Sequence, residues 1–285
     1  MLASATRIAL PGFPPEELLK LIKKLCATDG PKWLPRSRPG QFLYVRPTMI
    51  ATDAALGVQK PKEALLYIIL ACFPAMDENP KGLSLLASQD DTVRAWPGGF
   101  GYAKVGANYG PTLMAQGEAR RRGYDQVLWL LGNDGKIEVT EAGASNFFVV
   151  WRTREGKTEM VTAPLGDKII LDGVTRRSVL QLARERFQKD AEEGVMEEVQ
   201  VSERNFEMRD IVEAVEEGRM VEAFAAGTAF FIAPVSRIHY RGQDLSIPMC
   251  EAGTGRYAGL LKTRLRNIMF GKERHEWGVV VEEAA

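Results

Sequence analysis

Residues 98–111 read GGFGYAKVGANYGP and carry more information about structure and chemistry than any other stretch of this 285-residue chain. They confine one lysine, Lys104, among glycines, with Tyr109 five residues further on and Pro111 where a helix could begin. Lysine is the side chain that forms an imine with a carbonyl, and close backbone packing can desolvate it, which favours the neutral, nucleophilic amine. Lys104 is therefore the candidate catalytic residue.

Residues 98–111 also have to be considered as a surface turn or as a nucleotide-binding loop. A glycine-rich segment with one lysine is also typical of a plain surface turn, and these residues alone do not separate the two. A dinucleotide-binding fingerprint would need a third glycine after Gly99 and Gly101, and a nucleotide-triphosphate loop would need Ser or Thr where Val105 follows Lys104. Only the segments further downstream distinguish a surface turn from a catalytic site.

The composition favours a globular protein that acts on a small molecule. The chain is 45% hydrophobic, which allows a substantial core, and 37 basic residues balance 37 acidic ones. This balance gives no reason to expect nucleic acid or a membrane as a partner. The longest apolar run, residues 64–73, is too short to span a bilayer. Three widely spaced cysteines and two histidines indicate neither a disulfide framework nor a metal site.

Local patterns predict helices and strands along the whole chain. Apolar residues at helical spacing behind a proline, and an Asp-Gly pair between two strand-like runs, are among the strongest signals. Helices are predicted at residues 14–29, 108–122, 174–188, 207–217 and 256–270. Strands are predicted at residues 41–51, 63–73, 83–88, 125–131, 136–139, 146–151, 221–224 and 229–235, with the strand at 63–73 buried on both faces. Hairpins beside lone helices favour an α+β fold over a doubly wound parallel sheet.

A charged, proline-containing stretch interrupts this pattern at residues 76–82. Such a shift in composition marks a candidate linker between domains. We therefore expect a small first domain at residues 1–75 and a large second domain at residues 83–285.

Three further segments could take part in chemistry. Residues 140–146 place Glu141 beside an apolar strand; such a glutamate is partnered or protonated if it is buried, and the simpler alternative is a strand-end glutamate in solvent. Residues 171–176 open a helix, where free N–H groups favour an anion such as phosphate. Thr228 offers a hydroxyl among small residues next to a strand. Each segment alone is a weak signal, since a pattern such as that of residues 171–176 is more often an ordinary helix cap.

Taken together and in this order, the segments resemble the fold-type-IV aminotransferases that use pyridoxal phosphate, most closely the branched-chain amino acid aminotransferases. The resembling runs are RAWPGG at 94–99, KVGANYGP at 104–111, QVLWL at 126–130, TEAGASN at 140–146, LDGVTR at 171–176 and GTA at 227–229. LYVRP at 43–47 is also similar, and the similarity continues to HEW at 275–277. The resemblance thus covers nearly the whole chain.

The resemblance implies a role for each residue. Lys104 would hold the cofactor as an imine and then shuttle a proton, Tyr109 would hydrogen-bond the cofactor phenolate, and Glu141 would keep the pyridine nitrogen protonated. The remaining roles would be phosphate binding by Val174, Thr175 and Thr228, and substrate binding by Tyr44 and Arg46 of the small domain and by Ala144 and Ala229.

The implied reaction is transamination between leucine, isoleucine or valine and 2-oxoglutarate, with glutamate completing the second couple. A pocket that prefers these side chains is physically reasonable, since each buried methylene contributes about 0.8 kcal/mol. The resemblance also implies a homodimer in the cytoplasm or the mitochondrion. We expect no targeting segment within this chain.

Two departures from the family pattern qualify this expectation. Family members carry further residues before the point matching Met1, which complete the small domain and supply an arginine to the phosphate, so we expect a truncated form of uncertain activity. Ala144 stands where many relatives have threonine. The alternatives are a non-catalytic remnant and another fold-type-IV enzyme, a D-amino acid transaminase or an aminodeoxychorismate lyase, which would share Lys104 and Glu141.

Overall fold

The chain divides into two compact units. The first comprises Met1–Glu78 and Glu276–Ala285, and the second comprises Asn79–His275. This computed structural model describes residues 1–34, 37, 40–74, 81–133, 135–250 and 253–283. Most of the predicted linker, residues 76–80, lies outside the described residues. The sequence assigns residues 276–285 to the large domain, whereas they group with the first unit.

The first unit contains helices α1 (Leu2–Arg7) and α2 (Pro15–Trp33) and strands β1 (Phe42–Ala51) and β2 (Ala64–Phe73). The α2 helix begins with a proline at its first position, as predicted, but it does not end before Gly30. It continues through Pro31, which lies in the last turn and has no N–H to donate to the carbonyl four residues before it. The final turn is still closed by the Leu34 N–H, which donates to the Gly30 carbonyl at 2.9 Å.

The expectation that β2 is buried on both faces is wrong. β2 pairs antiparallel with β1 in a two-stranded sheet, and its side chains are half-buried or exposed. Leu65, for example, is 51% exposed. The apolar run indicates a strand, but it does not determine whether the two faces of that strand are buried, because burial depends on what packs against each face.

The second unit carries the remaining elements. They are β3 (Leu83–Ala87), α3 (Thr112–Arg121), β4 (Gln126–Asn133), β5 (Lys136–Ala142), β6 (Ser145–Arg152), β7 (Thr158–Thr162), α4 (Val174–Glu192), β8 (Val199–Glu203), α5 (Met208–Glu216), β9 (Met220–Gly227), β10 (Phe231–Tyr240), β11 (Gln243–Ser246) and α6 (Arg256–Met269). The sequence patterns did not predict the short strands β7, β8 and β11, nor α1 in the first unit. Short or charged segments such as VQVSE in β8 show too little periodicity to be recognised.

Six strands of the second unit close into a ring, in the order β10, β3, β4, β5, β6, β9 and back to β10. The β10–β3 and β3–β4 pairs are parallel and the others antiparallel. β7 and β8 extend the sheet from β6, and β11 extends it from β10. This mixed sheet with its helices confirms the α+β class.

Alternate positions of the ring strands face the main core. Their side chains include Leu85, Leu128, Val139, Phe147, Ala225 and Val235, and α5 adds Met208, Ile211 and Ala214. The intervening positions lie on the other face of the sheet. Trp129, Glu141 and Asn146 share that face because they are register partners across β4, β5 and β6.

Helix α6 is fixed to the ring by a specific contact at its start. The buried Glu222 of β9 accepts hydrogen bonds from the Tyr257 and Ala258 N–H groups at 3.1 and 2.7 Å, and so caps the start of α6. A side chain on Gly255 would collide with this carboxylate, since a Cβ there would lie 2.1 Å from Glu222 Oε2. Only glycine therefore fits at this helix cap, because any Cβ would overlap the Glu222 carboxylate.

Candidate cofactor site

Lys104 lies in a loop of the second unit that is held by buried neighbours. Ala103 and Val105 are buried on either side, and the Lys104 side chain is exposed. Its Nζ donates a hydrogen bond to Tyr109 Oη at 2.9 Å and lies 5.2 Å from the centre of the Tyr109 ring. The two residues expected to act together are thus in contact. The desolvation of Lys104 expected from the sequence is not observed.

The glycines around Lys104 allow a close approach between backbones. A Cβ on Gly101 would lie 1.9 Å from the Ile169 carbonyl oxygen, so this position tolerates only glycine. The loop that carries Lys104 therefore packs directly on the segment that leads to α4. This contact brings the lysine loop and the predicted phosphate segment together.

Glu141 lies deep in the sheet face beside this loop. It is 1% exposed, and Arg94, which is 3% exposed, places Nη1 at 2.5 Å from Oε2 as an ion pair. Oε1 accepts hydrogen bonds from Asn146 Nδ2 at 3.0 Å and from the Leu171 N–H at 3.3 Å. Oε2 accepts no hydrogen bond of good geometry. The solvent-exposed alternative considered for Glu141 is wrong.

The environment of Glu141 raises the pKa of its carboxyl group from 4.5 to about 7. Burial is the largest cause, because it disfavours the charged form; Arg94, the Leu171 N–H, Lys104 and Arg176 oppose it. A cation placed at Oε2 would favour the carboxylate further. The carboxyl group can therefore hold a proton near neutral pH or stabilise a further positive charge placed beside it.

The start of α4 offers free donors close to Glu141. Its cap residue, Gly173, has no side chain that could accept hydrogen bonds from the first N–H groups, which belong to Val174, Thr175 and Arg176. The Val174 side chain is exposed and Thr175 is buried. An uncapped helix start of this kind favours an anion.

The β5–β6 turn and the β9–β10 turn lie beside each other at the start of β6. Together they contain three of the predicted site residues. Ala144 occupies the β5–β6 turn, and Thr228 and Ala229 occupy the β9–β10 turn; all three are exposed. The turns are adjacent because Asn146 pairs with both Glu141 of β5 and Ala226 of β9. Gly227 packs against Ser145, whose Oγ would lie 2.7 Å from a Cβ at position 227.

The two predicted substrate residues of the small domain lie in the first unit. Tyr44 and Arg46 project from the same face of β1, as residues two apart in a strand do. Arg46 Nη2 donates to Tyr44 Oη at 3.1 Å, and the guanidinium carbon lies 5.0 Å from the Tyr44 ring centre. Their part in substrate binding stays a prediction.

Three contacts of Glu141 had no role in the sequence interpretation. Arg94 and Asn146 occur in the resembling runs, but no function follows from the pattern alone, and the Leu171 N–H carries no side-chain signal. The sequence did indicate that a buried Glu141 would be either partnered or protonated. It could not identify which of the 37 basic residues would be that partner.

Comparison with known proteins gives a consistent result. The family model for class IV amino-transferases matches residues 1–238. The chain is 42% identical to the mitochondrial branched-chain-amino-acid aminotransferase of Schizosaccharomyces pombe, over 98% of this chain and 63% of the relative. It is also 42% identical to the cytosolic enzyme of that name from Saccharomyces cerevisiae, over 98% of this chain and 72% of the relative. The chain thus spans about two thirds of the length of these relatives.

A solved structure supports the same assignment. The branched-chain aminotransferase from the thermophilic archaeon Thermoproteus uzoniensis, solved with norvaline, aligns with a TM-score of 0.68 at 25% identity and covers 96% of this chain and 77% of that chain. The family match, the sequence identities and the fold agree with one another. The chain therefore belongs to the class IV aminotransferases, in the branched-chain-amino-acid group with the fold-type-IV architecture.

Proposed function

We propose that this chain transfers amino groups between the branched-chain L-amino acids leucine, isoleucine and valine and 2-oxoglutarate, with pyridoxal phosphate carried on Lys104. One observation carries the proposal: the second unit places the Lys104–Tyr109 pair and the buried Glu141 beside the uncapped start of α4. The substrate class follows the names of the relatives.

The residues present fit pyridoxal phosphate. The cofactor has a ring nitrogen that binds a proton, a phenolic oxygen and a phosphate, and each has a suitable partner here. Glu141 is a buried carboxylate whose Oε2 pairs with Arg94 but accepts no hydrogen bond of good geometry, and Tyr109 Oη lies at the lysine amine. The free N–H groups of α4 suit the phosphate.

The side chains then have distinct tasks. Lys104 Nζ would hold the cofactor and would supply the amine that carries a proton to and from the substrate α-carbon. Tyr109 Oη, which accepts a hydrogen bond from that amine, would also hydrogen-bond the phenolic oxygen of the cofactor. Glu141 would hold a proton on the ring nitrogen, and the bound cofactor would then supply an electron sink. Val174, Thr175 and Thr228 would hold the phosphate, and Ala144 and Ala229 would border the substrate.

We further propose a homodimer as the functional unit, in the cytosol or the mitochondrion. Exposed apolar side chains of the second unit support an additional partner surface: Leu113 and Met114 at the start of α3 are 70% and 86% exposed. Sedimentation should give twice the 31.6 kDa mass of the chain. A monomer at micromolar concentration would contradict the dimer.

The visible absorption of the purified protein with pyridoxal phosphate tests the enzyme proposal. We expect a band from the lysine-bound cofactor that leucine removes, and Lys104→Ala should lose the band. Activity should fall by about 10²–10⁴-fold, because the proton-transfer group is gone. Lys189→Ala, which changes an exposed lysine of α4, is the control and should behave as the unaltered protein. A band that persists in Lys104→Ala would refute the assignment, and a preference for D-amino acids would favour another fold-type-IV enzyme.

A further inference from the structure

Asn146 occupies a junction between the two ends of the proposed cofactor site. It is 3% exposed, and its Nδ2 donates to Glu141 Oε1 at 3.0 Å and to the Leu171 carbonyl at 2.8 Å. An amide nitrogen has two hydrogens to donate, so both are used. The side chain therefore ties the carboxylate of β5 to the segment that precedes α4.

The orientation of this amide is fixed by its neighbours. Both groups that face Nδ2 are acceptors, a carboxylate oxygen and a carbonyl oxygen. Turning the amide over would point its Oδ1 at these two oxygens, which would repel it and leave the buried Nδ2 without acceptors. Asn146 Oδ1 must consequently point the other way, toward Gly173.

Gly173 shows how tightly the amide packs on the start of α4. A Cβ built on Gly173 would lie 2.3 Å from Asn146 Oδ1. The φ of Gly173 is −71°, an ordinary value for any residue, so the glycine is required by the space that Asn146 occupies. The Gly173 N–H also donates to the Leu171 carbonyl at 2.9 Å, the same oxygen that accepts from Asn146.

We propose that Asn146 is a positioning residue that couples the two ends of the cofactor site, holding the Glu141 carboxylate toward the ring nitrogen and the first turn of α4 toward the phosphate. The inference rests on the proposed function. A displacement at the phosphate end is transmitted through Gly173 and the Asn146 amide to Glu141. A displacement of the Glu141 carboxylate is transmitted through the same contacts to the first turn of α4.

One experiment changes the phosphate end and measures the response at Glu141. Gly173→Ala should push Asn146 away and remove a donor from the carboxylate, which still faces Arg94, Lys104 and Arg176. Gly166→Ala is the matched control, since nothing lies within 4 Å of a Cβ there. The urea midpoint of each apoprotein is followed from pH 4 to pH 9, with and without Glu141→Gln. Gly173→Ala should shift the Glu141-dependent fall in the urea midpoint to a pH that is about half to one unit higher. Gly166→Ala should leave this pH unchanged.

The second experiment changes Asn146 and measures the phosphate end. Asn146→Ala removes the contact with Gly173, and the affinity of the apoprotein for inorganic phosphate, measured by calorimetry, should fall by about 3–10-fold. Asn205→Ala is the control: Asn205 Nδ2 also donates to a glutamate, Glu138 Oε1, at 3.0 Å, but on the surface. It should leave phosphate binding unchanged.

The results separate this inference from the proposed function. A Gly173→Ala curve that matches the Gly166→Ala curve would overturn the coupling. So would phosphate affinity that is unchanged in Asn146→Ala, or absent from the unaltered apoprotein. If the unaltered protein forms no lysine-bound band with pyridoxal phosphate, the proposed function fails. The two apoprotein measurements still decide whether Asn146 links the two ends.

Discussion

At the scale of single residues, Glu141 makes stability depend on pH. Its carboxyl group has a pKa of about 7 in the folded protein against 4.5 in the unfolded chain. The folded state thus binds the proton more tightly, and unfolding releases it between these values. The free energy of unfolding should therefore fall as pH rises from about 4.5 to about 7 and then level off.

Glu141→Gln should remove this part of the pH dependence, because the amide does not titrate. The measurement is the difference between the urea midpoints of the apoprotein and the variant from pH 4 to pH 9. A difference that does not change with pH would refute the assignment. Glu138→Gln, on the same strand but bonded to Lys136 and Asn205, is the control.

At the scale of elements, the loop that carries Lys104 depends on one close backbone contact. Gly101→Ala would place a Cβ 1.9 Å from the Ile169 carbonyl, so one of the two backbones has to move. We expect a loss of about 2–4 kcal/mol in the free energy of unfolding and a displaced lysine. Gly106→Ala, five residues away in open space, should cost about 0.5 kcal/mol or less. Chemical denaturation of both variants decides the matter, and equal losses would contradict the contact.

At the scale of the whole molecule, the two units differ in how much they bury. Among the described residues of the first unit, Ala5 and Leu10 are the buried ones, and its sheet has two strands. The second unit buries an apolar core within a closed ring, with Phe147 and Val149 fully inaccessible. Small, open sheets are only marginally stable by themselves.

Amide hydrogen exchange should reflect this difference. The amides of β1 and β2 should exchange much faster than those of β6 and β9, whose neighbours on both sides protect them. Mass spectrometry of peptides from an exchange time course measures this directly. Equal protection in the two units would show that the first unit is stabilised by an additional partner.

Much of the fold and of the site follows from local sequence. The β4–β5 hairpin, the starts of α2, α4 and α6 and the candidate lysine depend on turn chemistry, helix-start signals and residue type, which act over a few residues. The resembling runs also indicate Glu141 and the start of α4. These features are determined by sequence because their causes lie within each segment.

Tertiary structure alone decided the rest. The closure of the ring joins β10 to β3, more than 140 positions apart, and no local pattern specifies such pairing. The same applies to the apolar run of β2, which remains partly exposed, and to Glu141, which is buried. Arg94 and Asn146 acquire their roles only when separate segments meet at that carboxylate. Burial and charge pairing are properties of the assembled unit, because they depend on which residues exclude water from each other.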